Sequence, residues 1–428
     1  MKLSNKLMGV FAAGSLLAGF GAAPVAADSV SDFYKNKRVT MYIGYSAGGG
    51  YDRYGRTVGR HMSRHIPGKP SITPKNYTGA GGMRLANALF SAFKQDGASI
   101  GIIGRQIPLE DLIGNPKVKF KANKFNWLGS ANQEYSVCAF WHKSPIKTTD
   151  DLFNKVPIVG GTGAGSGTDT QAMILNNLIG TRLRLITGYP GGADINLAME
   201  KGEVHGRCAW SWSSVLSTRA QWLKDKKVLF PLQIAKKSHP DLKHVPLVGK
   251  FIKNEKDRKA LDIVLAGLVM GRPFAIGPKV PAERVKALRA AFMATMSDPK
   301  FLAEAKKGRL PIAAVSGEEI QALLAELYAL PKDIIDHAAN AMSNKNNINI
   351  TQAKLTISSY KGKITKVKRG GRRVSWKGDG QKGKLRVSGS KTKIMVGGKK
   401  AKRKALKPGM SCTFKVLGAQ AAMNIDCK

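Results

Sequence analysis

Cysteine and histidine are scarce in this chain, four and seven residues among 428. No CxxC spacing occurs, and only His142 and His205 lie near a cysteine in sequence, so a metal site is not expected. His61 and His65 stand four apart on one stretch, but no acidic residue is close to them in the sequence. The glycine pattern of a dinucleotide fold is also missing. Gly161 and Gly163 would need glycine at 166, and Gly163 and Gly165 would need it at 168, where Ser166 and Thr168 stand. No nicotinamide or other cofactor is therefore expected. Beyond the N-terminal stretch no apolar run reaches the ~18 residues that cross a bilayer.

Acidic residues are few as well: 28 Asp and Glu face 70 Lys and Arg, a formal net charge of +42. The imbalance is concentrated at one end. From Lys345 to Lys428 there are 23 Lys or Arg against Asp379 and Asp426, a charge of +21. Basic tails of this density point to a polyanion partner. Residues 1–27 read as a secretory leader, with Lys2 and Lys6, an apolar stretch from Leu7 to Phe20, and Val25-Ala26-Ala27 before cleavage after Ala27. An exported chain turns the expected partner away from nucleic acid and toward anionic envelope polymers or lipid headgroups. Export also favours disulfides. The four cysteines allow three pairings, of which Cys138 with Cys208 and Cys412 with Cys427 puts one bond in each part of the chain.

The mature chain alternates strand-like and helix-like segments. Lys37 to Gly44, Ile72 to Tyr77 and Ser99 to Ile103 have strand character, with helical patterns over Tyr51 to His65 and Met83 to Phe93 between them. Phe125 to Trp141 is apolar without a helix period and reads as one long strand leaving the first unit. A second alternating set runs from Pro157 to Trp210. Segment 271–277 then returns the chain to the first half, followed by three amphipathic segments that end near Ala341. This predicts an α/β fold of two lobes, 28–134 with a return segment of about 271–342, and 135–270. A polar linker is expected over 343–350 and a basic all-β barrel over 351–428.

Four glycine-rich turns each follow an apolar strand-like run and precede a helix-like segment. They are Ser46-Ala-Gly-Gly-Gly50, Gly79-Ala-Gly-Gly82, Gly161-Thr-Gly-Ala-Gly-Ser-Gly167 and Pro190-Gly-Gly192. Turns of this kind let backbone N–H groups converge at a helix N-terminus and suit anions. In an open α/β sheet they would line one crevice at the strand ends.

Tyr45-Ser-Ala-Gly-Gly-Gly-Tyr-Asp52-Arg53, Asn76-Tyr-Thr-Gly-Ala-Gly-Gly82 with Asp96-Gly97, and Gly163-Ala-Gly-Ser-Gly-Thr168 with Tyr189-Pro-Gly-Gly192 carry a family resemblance. From Val39 to about His337 the chain resembles the solute-binding receptors of tripartite tricarboxylate transporters, with Thr78 in place of the usual proline and Pro190 in place of the usual lysine. The resemblance implies a two-lobed periplasmic binding protein of the type II, Venus-flytrap kind. It further implies no catalysis, a small organic acid as ligand, and a membrane permease as partner. From Lys354 the tail more loosely resembles small OB-like modules of envelope proteins.

On this reading the ligand meets Tyr45, Ser46, Ala47, Gly48, Gly49 and Asp52 of the first turn and Gly81 of the second. The other lobe contributes Thr162, Gly163, Ser166, Gly167 and Thr168 of the third turn, Tyr189 and Gly191 of the fourth, and Trp210 as an aromatic wall. Two alternatives stand beside it. Gly44-Tyr-Ser-Ala-Gly48 spells the elbow of a serine hydrolase with Ser46 as nucleophile, and the tail alone would suit a cationic envelope-binding protein. Arg53 is a candidate ligand clamp. Arg56 and Arg60 read as a solvated face.

Overall fold

The computed structural model describes residues 25–343, 349–353, 357–378, 380–389, 392–417 and 421–428. The expected leader lies outside them except for residues 25–27, as do most of the expected linker and Lys345, Lys354, Asp379 and Lys391 of the basic tail. Helix α1 (Val25–Tyr34) leads into β1 (Arg38–Ile43), α2 (Gly50–Met62), β2 (Ser71–Asn76), α3 (Met83–Asn87), β3 (Ser99–Ile102), α4 (Ile107–Leu112) and β4 (Asn126–Ser130). The period of two in β1 buries Val39, Met41 and Ile43 against Tyr54, Val58 and Met62 of α2, the packing that its alternating pattern predicts.

The chain then crosses to a second sheet. Its elements are β5 (Ser136–Trp141), α5 (Asp151–Asn154), β6 (Ile158–Gly160), α6 (Gly167–Ile179), β7 (Arg184–Thr187), α7 (Gly192–Glu200), β8 (Gly206–Ser211), α8 (Trp212–Lys224), β9 (Val228–Ile234) and α9 (Glu255–Val269). It recrosses into β10 (Pro273–Ile276), followed by α10 (Ala282–Ser297), α11 (Pro299–Lys307), β11 (Val315–Ser316), α12 (Gly317–Tyr328) and α13 (Lys332–Ala341). The two sheets have the orders β11-β4-β10-β3-β1-β2 and β12-β7-β6-β8-β5-β9, where β12 is Ile350–Gln352. In each, three or four parallel strands are joined to antiparallel strands from the crossings.

Three sequence expectations change. The run Phe125 to Trp141 is two strands in different sheets, because β4 and β5 are both buried and so share one apolar composition. Four helices, not three segments, follow β10, and the last, α13, packs back on α9 and α6 of the second sheet's lobe. Ile350, at the end of the expected linker, starts β12, which pairs in parallel with β7 at Leu185.

The remaining strands are β13 (Ile357–Lys368), β14 (Arg373–Gly378), β15 (Gln381–Arg386), β16 (Lys393–Val396), β17 (Lys399–Lys400), β18 (Ser411–Leu417) and β19 (Ala421–Cys427). A pairing of Arg386 with Ala421 closes β14, β13, β18, β19 and β15 into a ring around Ile364, Val374, Trp376 and Phe414. Cys412 is bonded to Cys427 across β18 and β19, and Cys138 to Cys208 across β5 and β8.

Candidate functional site

The glycine turns of the two lobes touch each other. Ser46 Oγ donates to Asp194 Oδ2 at 2.6 Å and Ser46 N to the Pro190 carbonyl at 3.0 Å, while Gly81 N donates to the Thr162 carbonyl at 3.1 Å. A Cβ on Gly81 would lie 2.7 Å from Ser166 Cβ, and one on Gly191 would lie 2.3 Å from Ser46 Oγ. These glycines are what lets the lobes close.

Closure encloses a cavity of about 60 Å³ whose lining holds three arginines and no carboxylate. Arg105, just beyond β3, spans the cleft. Its guanidinium donates to Ser211 Oγ and Ser136 Oγ, both at 2.6 Å, and to the Ala209 carbonyl at 3.2 Å. Arg207 on β8 donates to the Gly192 carbonyl at 2.9 Å and Asn196 Oδ1 at 3.2 Å, and lies 5.2 Å from the Trp210 ring centroid. Arg272, at the return crossing, pairs with Glu134 at 2.9 Å, donates to Ser213 and Ser214, and stacks over Tyr51 at 4.6 Å. All three are buried.

Only Arg272 has an acidic partner among the described residues. Burial, then repulsion from Arg105, Arg219 and Arg272, lowers the Arg207 pKa to about 9. Burial is the largest effect on Arg272 and acts to lower its pKa, but Glu134 together with Tyr51 and Tyr54 brings the balance upward. The Nε atoms of Arg105 and Arg207 are buried donors without a hydrogen-bond partner. Ala209, which lines the same cavity, has φ of 55°, an uncommon conformation for a residue with a Cβ.

Of the residues expected from sequence, Tyr45, Gly49, Thr162, Gly167, Thr168 and Trp210 line this cavity. Others serve elsewhere. Asp169 takes the donors of the third turn: Gly163 N at 3.1 Å, Ser166 Oγ at 2.9 Å and Thr168 Oγ1 at 3.2 Å, together with Thr187 Oγ1. Burial pushes its carboxyl up, and these hydrogen bonds pull against that. Asp52 is likewise structural, accepting from Gly48 N, Asn76 and Arg56. Tyr189 lies in the core of the second lobe, and Ala47, Gly48 and Gly191 are outside the cavity lining. His61 and His65 have the acidic neighbours that the sequence concealed. They meet Glu304 and Asp298 at 2.6 Å and dock α2 and the turn after it on α11 and its N-cap.

The sequence reading missed Arg105, Arg207 and Arg272. Each is a lone arginine in an apolar stretch at a strand end, as in Ile102-Ile-Gly-Arg105 and Met270-Gly-Arg-Pro-Phe274, and that contrast is the signal that could have found them.

No family model matches this chain, and no curated protein does. Among solved structures, it is similar to the periplasmic binding protein BugD, at 16% identity and a TM-score of 0.57, over 74% of this chain and 100% of that one. It is similar to MatC of Rhodopseudomonas palustris with bound malate, at 17% identity and a TM-score of 0.55, over 72% of this chain and 99% of that one. A second R. palustris protein, with adipate, gives 14% and 0.55 over 71% and 97%. The chain thus has the fold of two-lobed periplasmic binding proteins, joined to an all-β C-terminal ring.

Proposed function

We propose that this protein is a periplasmic solute-binding protein that captures a small organic acid and presents it to the membrane permease of a tripartite tricarboxylate-type transporter. The observation that carries the reading is the cavity closed between the lobes, lined by three buried arginines and no carboxylate. Buried charge is costly unless it is paired. With Glu134 assigned to Arg272, two guanidiniums are left for a ligand, which favours a dianion. At roughly 10–15 Å³ for each water-sized position, 60 Å³ gives about four to six positions, the size of a short dicarboxylate. Tyr45, Gly49, Thr162, Gly167, Thr168 and Trp210 complete the enclosure. MatC with malate and the relative with adipate support a carboxylate as ligand.

The mechanism is capture without chemistry. Arg105 belongs to one lobe and its hydrogen-bond partners to the other, so a ligand held on it stabilises the closed form. Ser46, whose hydroxyl is turned to Asp194, takes no nucleophilic part, and no esterase turnover is expected. Export by the leader places the protein in the periplasm, and the basic tail is proposed to meet anionic envelope polymers or lipid headgroups.

A thermal-shift panel of mono-, di- and tricarboxylates tests the reading, since ligands that bind the folded form raise the melting temperature by mass action. Short dicarboxylates should raise it most. A panel in which no carboxylate moves it, or only neutral solutes do, refutes the assignment.

A further inference from the structure

Lobe and barrel meet over a second, outer cleft of about 480 Å³, a volume in the range of small-molecule sites. One wall is α2, with Arg53, Arg56 and Arg60, and the end of α11, with Lys307. The other wall is the barrel, with Arg373 and Arg386. Two acids face these six cations, and both are engaged. Asp52 pairs with Arg56 at 2.7 Å and with Arg386 at 3.3 Å, and Glu304 pairs with Arg60 and His61. Arg53, Lys307 and Arg373 form no ion pair among the described residues.

The barrel contributes an unfavourable pair by design of its register. Arg373 and Arg386 are direct cross-strand partners on β14 and β15, so their side chains leave the same face, and both line the cleft. Like charges directly opposite each other destabilise a sheet. Burial, followed by repulsion from Arg56 and Arg373, lowers the proton affinity of Arg386 despite Asp52. Burial likewise lowers that of Arg53. Five of the six cations are arginines, whose planar forks match phosphate oxygens two at a time.

We propose that this cleft is a second anion site, built jointly by the first lobe and the C-terminal barrel, which takes a multivalent phosphate, either free or carried on a lipid headgroup. It stands on its own residues and does not depend on the carboxylate cavity. It also differs from diffuse attraction to the tail, because it assigns binding to named arginines on one face.

The test is calorimetry on the full-length protein with inorganic pyrophosphate at constant ionic strength. Saturable binding with one site is expected. Arg373→Ala with Arg386→Ala should weaken it at least tenfold, the scale of losing charge-assisted hydrogen bonds. The same pair changed to Lys, which keeps charge but not the fork, should fall between. Lys399→Ala with Lys400→Ala, on the hairpin outside the cleft, should change it less than twofold. The melting temperature of each variant reports folding, and dicarboxylate binding should persist in all of them. Co-sedimentation with phosphatidylglycerol against phosphatidylcholine vesicles identifies the source. Vesicle binding lost in the Arg373 and Arg386 variant assigns the phosphate to lipid, and pyrophosphate binding alone assigns it to a soluble compound. Binding that never saturates, or that the lysine pair weakens as much as the arginine pair, overturns the proposal.

Discussion

Replacing Arg207 with Met should move stability and affinity in opposite directions. The lowering of its pKa to about 9, well below the ordinary guanidinium range, amounts at about 1.4 kcal/mol per factor of ten to a cost on the order of several kcal/mol against the charged form in the folded protein. Between pH 9 and the ordinary guanidinium range the unfolded chain would hold a proton that the folded chain has released, so stability would rise with pH there. At neutral pH the full cost is present. Hydrogen bonds to Gly192 and Asn196 and the stacking on Trp210 offset part of it. Arg207→Met loses those contacts together with the charge, so a net gain of about 1–3 kcal/mol is expected, within the range seen when buried ions are replaced by apolar side chains. For two lobes of this size that is roughly 2–5 °C in the melting temperature without ligand. The dicarboxylate should bind about 10–150-fold more weakly, as expected for one lost charge-assisted hydrogen bond of about 1.5–3 kcal/mol. Scanning calorimetry and titration calorimetry on the same preparation read both. A variant that is less stable yet binds as well as the parent would show Arg207 to be a structural residue, and the charge argument would fail.

Glu134→Gln leaves Arg272 buried without its partner at the crossing between lobes, and should cost about 3–5 kcal/mol in urea unfolding. An effect under 1 kcal/mol would mean that Ser213 and Ser214 alone suffice for Arg272. Gly81→Ala puts a methyl group 2.7 Å from Ser166 at a φ of 62° and should hold the lobes apart. Solution scattering should then show no compaction with dicarboxylate, and affinity should fall at least tenfold. Asp298 caps α11 and is held well below the usual carboxylate range, first by Arg64, with Phe301 N, His65 and Lys300 N adding to it against the opposing effect of burial. Its stabilising contribution is full above the unfolded value near 3.9 and is lost as pH falls below that toward the folded value. Asp298→Asn should therefore flatten the acid limb of a stability curve between pH 2 and 5, and an unchanged limb would exclude Asp298 as its source.

The lobes were legible because alternation of buried residues in β1 and the glycine turns before α2, α6 and α7 are local signals. The disulfides were legible from the division of the cysteines between two parts of the chain. Helix α8 was not, since Trp212-Ser-Ser-Val-Leu-Ser-Thr follows β8 with no glycine or proline to mark a change. The acids paired with His61 and His65 lie more than 230 residues away, beyond any sequence window. Arg105, Arg207 and Arg272 carry only the weak local contrast of a lone arginine in an apolar stretch, which is diluted among 70 basic residues until burial selects them.

That concealment bears on how the lobes work. The sequence pattern suggests that glycine turns cradle the anion, yet several of their donors are spent on Asp169, Asp52 and the opposite lobe. Glycine supplies the close approach, and arginine supplies the charge. The two roles meet in this closed form, where Arg105 reaches Ser136 and Ser211 of the other lobe while the turns touch, and where Arg105 and Arg272 repel the charge of Arg207. Closing without an anion concentrates like charges in a medium that screens them poorly, whereas closing on a dianion neutralises two of them. On the proposed function, the arginines that would hold the ligand therefore oppose closure in its absence. On the proposed function, the closed form then reports occupancy.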